Sequence, residues 1–428
     1  MTRFSEMPPA QLGALKEELE SRYAAMKARG LALNMARGKP GADQLDLSTP
    51  MLGILSSPED CFSEDGTDCR NYGVLDGLPE AKELMSCMID DDPANIIVAG
   101  NSSLTLMHDA MAWCIDYGTP GGEPWLELDT VKWLCPCPGY DRHFRISETF
   151  GMELIAIPLN ENGPDMDVVE ALVAEDASIK GIWCVPKYAN PSGITYSDET
   201  VRRLASMPCA ADDFRIFWDN AYSVHHLYDD PAEQDRVLDI AAACRESGSP
   251  DRCLKFASTS KVTLPGAGIA AFAASPANVA WFKKHLGVTT VGPDKLNQLR
   301  HVRFLKDAEG IAAHMRRHAA ILRPKFDLVQ RKLEESLSEM GGCSWSTPRG
   351  GYFVSFDAPE GCASRIVELA REAGVTMTGA GATWPYGKDP HDSNIRIAPT
   401  LPPLSELEEA LDVFVCCVQL AYAEKLLA

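Results

Sequence analysis

A chain of 428 residues is too long for one small core, so two domains are expected, and a make-up of 45% hydrophobic and 24% charged residues is that of a water-soluble globular protein. The formal net charge of −21 argues against nucleic acid or an anionic membrane as a partner. No run of about 18 apolar residues spans a bilayer, the N-terminus lacks the basic-then-apolar order of an export signal, and the 14 cysteines, scattered through a large chain, read as reduced thiols of a cytoplasmic protein.

In chain order, residues 8–28 predict an amphipathic helix, with Leu12, Leu15, Leu19, Tyr23 and Met26 on one face and Gly30 behind it. Residues 33–41 read as irregular. From residue 95 the pattern alternates: a strand at 95–99, a turn at 100–103, a helix at 104–115. Short apolar strands follow at 131–135, 154–157, 182–185, 216–218, 254–256 and 269–273. Continuous apolar strands separated by crossovers predict an α/β fold, a mainly parallel sheet covered on both faces. After residue 308 come a long helical stretch containing Pro324, a strand at 352–356, a helix near 363–373, a strand at 394–398 and a closing helix. For that last helix Ser405 and Glu408 have capping-box spacing. The expected division is a large domain at 61–308, a smaller α+β domain at 309–428, and an N-terminal segment, 1–60, packing with the small domain. Cys135 and Cys137 are matched by no second pair at metal-ligand spacing, so no metal site is expected.

One stretch concentrates the chemistry: Ala257-Ser-Thr-Ser-Lys261-Val-Thr-Leu-Pro-Gly-Ala-Gly268, a turn between two apolar runs. A lysine there is either a solvated surface residue or, with its pKa lowered, an amine able to form a Schiff base. Ser258, Ser260 and the glycine amides could hold a phosphate, and the combination suits pyridoxal phosphate (PLP). Ser102 and Ser103, between a strand and a helix, suit an anion site or a helix cap equally. Asn190-Pro-Ser-Gly193 is a turn close behind a strand, where its asparagine could reach a ligand. Asp219 ends a strand, either capping the next helix or holding a pyridinium nitrogen, with Tyr222 three residues on. Arg396, inside a short apolar strand, either snorkels outward or clamps a carboxylate.

The order of these stations (anion turn, Asn-Pro-Ser-Gly, Asp-x-x-Tyr, Ser-x-Ser-Lys, strand arginine) resembles the class I PLP-dependent aminotransferases, and the likeness runs through nearly the whole chain. Residues 33–41, Tyr72-Gly-Val-Leu-Asp-Gly77, Pro138-Gly-Tyr-Asp-Arg-His-Phe144 and Pro265-Gly-Ala-Gly268 are most similar to bacterial aspartate aminotransferases related to the aminotransferase domain of MocR-type regulators. The DNA-binding half of such regulators is not expected here. The resemblance implies the PLP-dependent transferase fold type I, amino-group transfer between aspartate or glutamate and a 2-oxo acid, and a homodimer. It implies a Schiff base on Lys261, Asp219 at the pyridine nitrogen, Asn190 and Tyr222 at the ring oxygen, and Ser102, Ser103, Ser258 and Ser260 at the phosphate. Tyr72 would reach the phosphate of the neighbouring subunit. Arg396 would clamp the substrate α-carboxylate with Gly38 nearby, and Arg37 is the favoured partner for a second carboxylate, with Lys295 and Arg300 as alternatives.

Two positions depart from the family pattern. Ile269 stands where a phosphate-binding arginine is usual, and the aromatic residue that stacks on the ring is not in its usual place; Tyr140 is the choice, with His143 the alternative. Other fold type I PLP enzymes, lyases and decarboxylases among them, use the same anchors. Ser258-Thr-Ser-Lys261 also fits the Ser-x-x-Lys of penicillin-recognising enzymes, but their Lys-Thr-Gly is absent.

Overall fold

Strands Ile96–Val98, Ile179–Cys184, Arg215–Asp219, Cys253–Ser258 and Ala270–Ala274 are buried at every residue. Such strands have no face to offer water and must be covered by helices on both sides. In the computed structural model, which describes residues 3–428, they form the middle and one edge of an eight-stranded sheet. The order across it is Ile96–Val98, Ala270–Ala274, Cys253–Ser258, Arg215–Asp219, Ile179–Cys184, Lys132–Cys137, Glu153–Asn160 and Gly163–Pro164. The pairings from Cys253–Ser258 across to Glu153–Asn160 are parallel; Ala270–Ala274 runs antiparallel to both its neighbours. Glu153–Asn160, near the edge, is buried only at Leu154 and Ile157 and is partly or fully open elsewhere. One face packs on Met107, Trp113, Phe144 and Phe282, the other on Val169, Val201, Leu204 and Ile240.

Charged residues make the strands longer than their apolar runs suggest. Lys255 is fully buried inside one strand, held by Asp91 at 3.1 Å and Asp239 at 3.0 Å, so its charge is compensated and the strand continues through it.

A second core gathers Leu12 and Leu19 of the helix Pro9–Lys27 with Leu333, Ile366 and Phe414 of the helices Ala308–Leu337, Ala363–Glu372 and Leu404–Leu427. These helices accompany a three-stranded antiparallel sheet of Ser344–Trp345, Val354–Asp357 and Asn394–Ile397. Pro324 lies within Ala308–Leu337 without ending it. An interior proline costs about 3 kcal/mol, and buried Leu322, Phe326 and Val329 on either side offset it through packing. Two expectations change. The closing helix starts at Leu404 with Pro403 at its cap, so Ser405 lies inside the first turn and forms no capping box with Glu408, which reaches Lys332 at 3.2 Å instead. Residues 33–41 are not wholly irregular: Leu33–Asn34 pairs in parallel with Val375–Thr376. Among the described residues no helix is long and apolar enough to cross a membrane, and no cluster of His, Cys, Asp or Glu could hold a metal ion.

Candidate active site

Parallel strands end on one edge of their sheet, and here that edge collects the stations seen in the sequence. Asp219 is the last residue of Arg215–Asp219 and Ser258 the last of Cys253–Ser258. Ser258 pairs across with Ala270, whose amide in turn donates to the carbonyl of Gly100 at 3.2 Å. The Gly100–Ser103 turn therefore stands two strand spacings, roughly 9–10 Å, from the Ser258 turn. Ser102 occupies the cap position of the helix Ser103–Tyr117 but makes no side-chain cap bond. Its hydroxyl and the first helical N–H groups stay available to an anion.

The turn carrying Lys261 is held from several sides. Thr259 N–H donates to the Ile269 carbonyl at 2.9 Å. His301 Nδ1 lies 2.8 Å from the Asn297 carbonyl, which can only accept; the ring proton is therefore on Nδ1, and Nε2 accepts from the Thr259 and Thr263 hydroxyls at 3.1 and 2.9 Å. The Lys261 carbonyl receives His225 Nε2 at 3.3 Å and the Tyr352 hydroxyl at 3.4 Å. Lys261 Nζ lies 4.9 Å from the ring centre of Tyr222 and 6.0 Å from that of Tyr352. Burial holds the amine below its ordinary pKa; Asp219 works against this and Arg396 with it. Burial likewise pushes the Tyr222 phenol well up, and that of Tyr140 to about 12.

Asp219 is buried against His143, with Nε2 at 3.0 Å from Oδ2, and the His143 ring stacks on Trp183 at 4.4 Å. Asp219 Oδ1 has no partner. Arg396 points inward rather than snorkelling: it is 8% exposed, donates to Asp141 at 2.8 Å and Asn190 at 3.2 Å, and lies over Phe353 at 4.9 Å, while its Nε stays unpaired. A Cβ on Gly38 would come 2.2 Å from the Phe353 ring, so only glycine lets that ring lie beneath Arg396.

A cleft of about 290 Å³ is lined by Ala36, Arg37, Gly38, Lys39, Tyr140, Asp141, Arg142, Asn190, Tyr222, Lys261, Phe353, Thr378 and Arg396; Asp219 and Ser102, Ser103, Ser258 and Ser260 are not on this lining. Of the two aromatic choices Tyr140 lines the cleft, whereas His143 sits behind Asp219, edge-on to Tyr140. Ile269 is buried and brings no charge in place of the missing arginine. Lys295 is turned away, donating to the carbonyls of Asn71 at 2.7 Å and Gly73 at 3.0 Å, and neither it nor Arg300 lines the cleft. Those bonds fix the loop of Tyr72, which is 83% exposed and lies outside the cleft lining. Sequence reasoning missed His143 as the partner of Asp219, Asp141 as the partner of Arg396, His301, and the cations Lys39 and Arg142. Arg142 and His143 stand in the 138–144 stretch that carries part of the family likeness, but nothing local marks what they face.

A twisted, mostly parallel sheet with a lysine, an aspartate and an arginine gathered at its carboxyl edge defines the PLP-dependent transferase fold type I. An α-aminoadipate aminotransferase of Thermus thermophilus, solved with N-(5'-phosphopyridoxyl)-L-leucine, shares it at a TM-score of 0.74 and 18% identity, over 95% of this chain and 98% of that one. The sequence pattern of the aspartate amino-transferase family matches residues 7–428, and the chain belongs to that family. It is 45% identical over 415 residues to an aspartate aminotransferase of Corynebacterium glutamicum, covering 97% of this chain and 95% of that protein. A crystal structure of an aspartate transaminase from Corynebacterium glutamicum superimposes with a TM-score of 0.96 at 43% identity, over 99% of both chains.

Proposed function

We propose that this aminotransferase is PLP-dependent and moves the amino group between aspartate, or glutamate, and a 2-oxo acid. The observation that carries the reading is the meeting of the Lys261 amine and the Arg396 guanidinium in one cleft, with the Asp219 carboxylate near enough to act on that amine and Arg37, Lys39 and Arg142 on the same lining. The residues fit the cofactor. Asp219 Oδ1, buried and unpartnered, suits a pyridine N–H, Asn190 and Tyr222 the ring oxygen, and Tyr140 the ring face. The hydroxyls of Ser102, Ser103, Ser258 and Ser260 suit the phosphate, with the helix end in the role of the absent arginine. When bound, PLP would supply an aldehyde for the Lys261 amine and an electron-withdrawing ring.

The chain's own part is set by its geometry. Arg396 holds the α-carboxylate in its planar fork, kept in place by Asp141 and by the Phe353 ring. Lys261 Nζ, its pKa lowered, is a base for the proton on the substrate α-carbon. His143 fixes Asp219. A dicarboxylic substrate is supported by the cations on the lining, since a carboxylate leaving water needs one. None of Arg37, Lys39 and Arg142 has an ion-pair partner among the described residues.

The same reading takes the molecule as a homodimer, supported by the exposed Tyr72 on its fixed loop. It divides the chain at about residues 60 and 308, and sets it in the cytoplasm, in keeping with fourteen free cysteines. The test is a half-reaction: holoenzyme is mixed with single amino acids and the cofactor spectrum followed. Aspartate or glutamate should convert it fastest, and borohydride reduction with peptide mapping should label Lys261. A label on another lysine, or preference for alanine or phenylalanine, overturns the corresponding half of the reading.

A further inference from the structure

The opposite edge of the large sheet carries a second charged cleft. Of about 350 Å³, it is lined by residues 119–122 behind the helix Ser103–Tyr117, residues 211–215 leading into Arg215–Asp219, and residues 248–252 before Cys253–Ser258. Those two strands are parallel, so the cleft lies at their amino ends while Asp219 and Ser258 finish them at the other. Roughly 13 Å of extended chain separates Arg215 from Asp219. The two clefts share no lining residue.

Arg215 is 4% exposed, yet its guanidinium makes one hydrogen bond, from Nη1 to the Phe214 carbonyl at 3.1 Å, and Nε has no partner. Beside it Arg252 donates through Nη1 to the carbonyls of Ala205 and Met207, both at 2.9 Å, and of Leu204 at 3.4 Å. Neither arginine has an ion-pair partner among the described residues. Of the three carboxylates on the wall, Asp213 takes Lys180 Nζ and Trp125 Nε1, each at 2.6 Å, Asp251 takes the Ser275 hydroxyl, and Asp212 is exposed to solvent. A buried cation is costly unless an anion completes it, and a guanidinium with free donors matches the two oxygens of a carboxylate or phosphate. Thr119 and Ser249 add hydroxyls to the wall.

We propose that this cleft binds a small oxyanion, phosphate or carboxylate, through the guanidinium of Arg215 with Arg252 beside it. Cys209 lines the cleft and is half-buried, whereas Cys87 is exposed outside it, so their alkylation reports the site separately from the rest of the protein. In the holoenzyme at constant ionic strength, N-ethylmaleimide labelling of both is followed by peptide mass spectrometry while inorganic phosphate, or succinate in a second series, is raised to about 10 mM, which reports millimolar binding. The Cys209 rate should fall about threefold or more, as expected once the anion exceeds its Kd severalfold, with Cys87 unchanged. Protection by phosphate alone assigns a phosphate ligand, by succinate alone a carboxylate, and by both an oxyanion site that takes either. Arg215→Gln should abolish the protection. Arg215→Lys, which keeps the charge without the fork, should weaken it and serves if the glutamine variant does not fold. No protection of the unaltered protein by either anion, or full protection in both variants, overturns the proposal.

Discussion

His143 Nε2 stands 3.0 Å from Asp219 Oδ2 with both side chains buried, and this contact spans 76 residues of sequence. It leaves Oδ1 as the one oxygen of Asp219 open to a ligand. Hydrogen bonds to charged groups are worth about 1.5–3 kcal/mol, and here the imidazole also sets which way the carboxylate faces. His143→Leu should lower kcat roughly tenfold to a hundredfold and weaken PLP binding, while His143→Asn, which keeps an N–H donor, should recover part of both. Positioning also predicts that the pH at which the cofactor absorbance changes will move in the leucine variant. An unchanged absorbance profile with normal kcat would show that the contact is only structural.

The three cations on the cleft lining should divide the substrates. Arg37→Leu, Arg142→Leu and Lys39→Met are each to be assayed with aspartate and with alanine. Losing the residue that meets the distal carboxylate should cut kcat/KM for aspartate roughly tenfold or more and leave alanine nearly unaffected. Lys295→Met should do otherwise: its amine fixes the Tyr72 loop, so both substrates should suffer alike. Equal losses on both substrates in all three lining variants would remove these residues from a specificity role.

Acid should unfold the Lys261 turn. Burial pushes His301 from 6.5 down to about 4 and His318 from 6.5 to about 3. A histidine with a depressed folded pKa is protonated first in the unfolded chain, so its stabilising effect is complete above pH 6.5 and is lost as pH falls towards the folded value. For His301 the shift amounts to about 3 kcal/mol. Tm should be flat from about pH 8 to 7 and fall increasingly below 6.5, and His301→Gln should flatten the slope because it removes the titrating group. Since His301 accepts from Thr259 and Thr263 on either side of Lys261, cofactor absorbance should fade in the same window. A Tm that holds constant down to about pH 4.5 would contradict this.

Tyr72, 83% exposed on a loop clamped by Lys295, should complete a neighbour's site. Mixing Tyr72→Phe and Lys261→Ala proteins, each impaired alone, should form hybrids in which one site carries both lesions and the other neither, so activity partly returns. Verified hybrids without recovery would mean that Tyr72 acts within its own subunit.

The features legible in the bare chain are those that are local in it. Lys261 in its Ser/Thr turn, Asp219 at a strand end and Asn190 in its Pro-Ser-Gly turn are each set by a few neighbouring residues, because an apolar run followed by polar or glycine residues ends a strand wherever it lies. The mainly parallel sheet was legible for the same reason. Packing in three dimensions was needed to settle whether Ser102 caps its helix, that Arg396 turns inward onto Asp141 across 255 residues, and that His143 rather than solvent meets Asp219. It also turned Lys295 towards a loop and brought Arg142 and Lys39 beside Arg37 on one lining. A charged side chain carries no sign in the sequence of which way it points; its partner is chosen by packing, since a buried charge is tolerated only where distant segments bring a counter-charge, a hydrogen bond or a ligand to it.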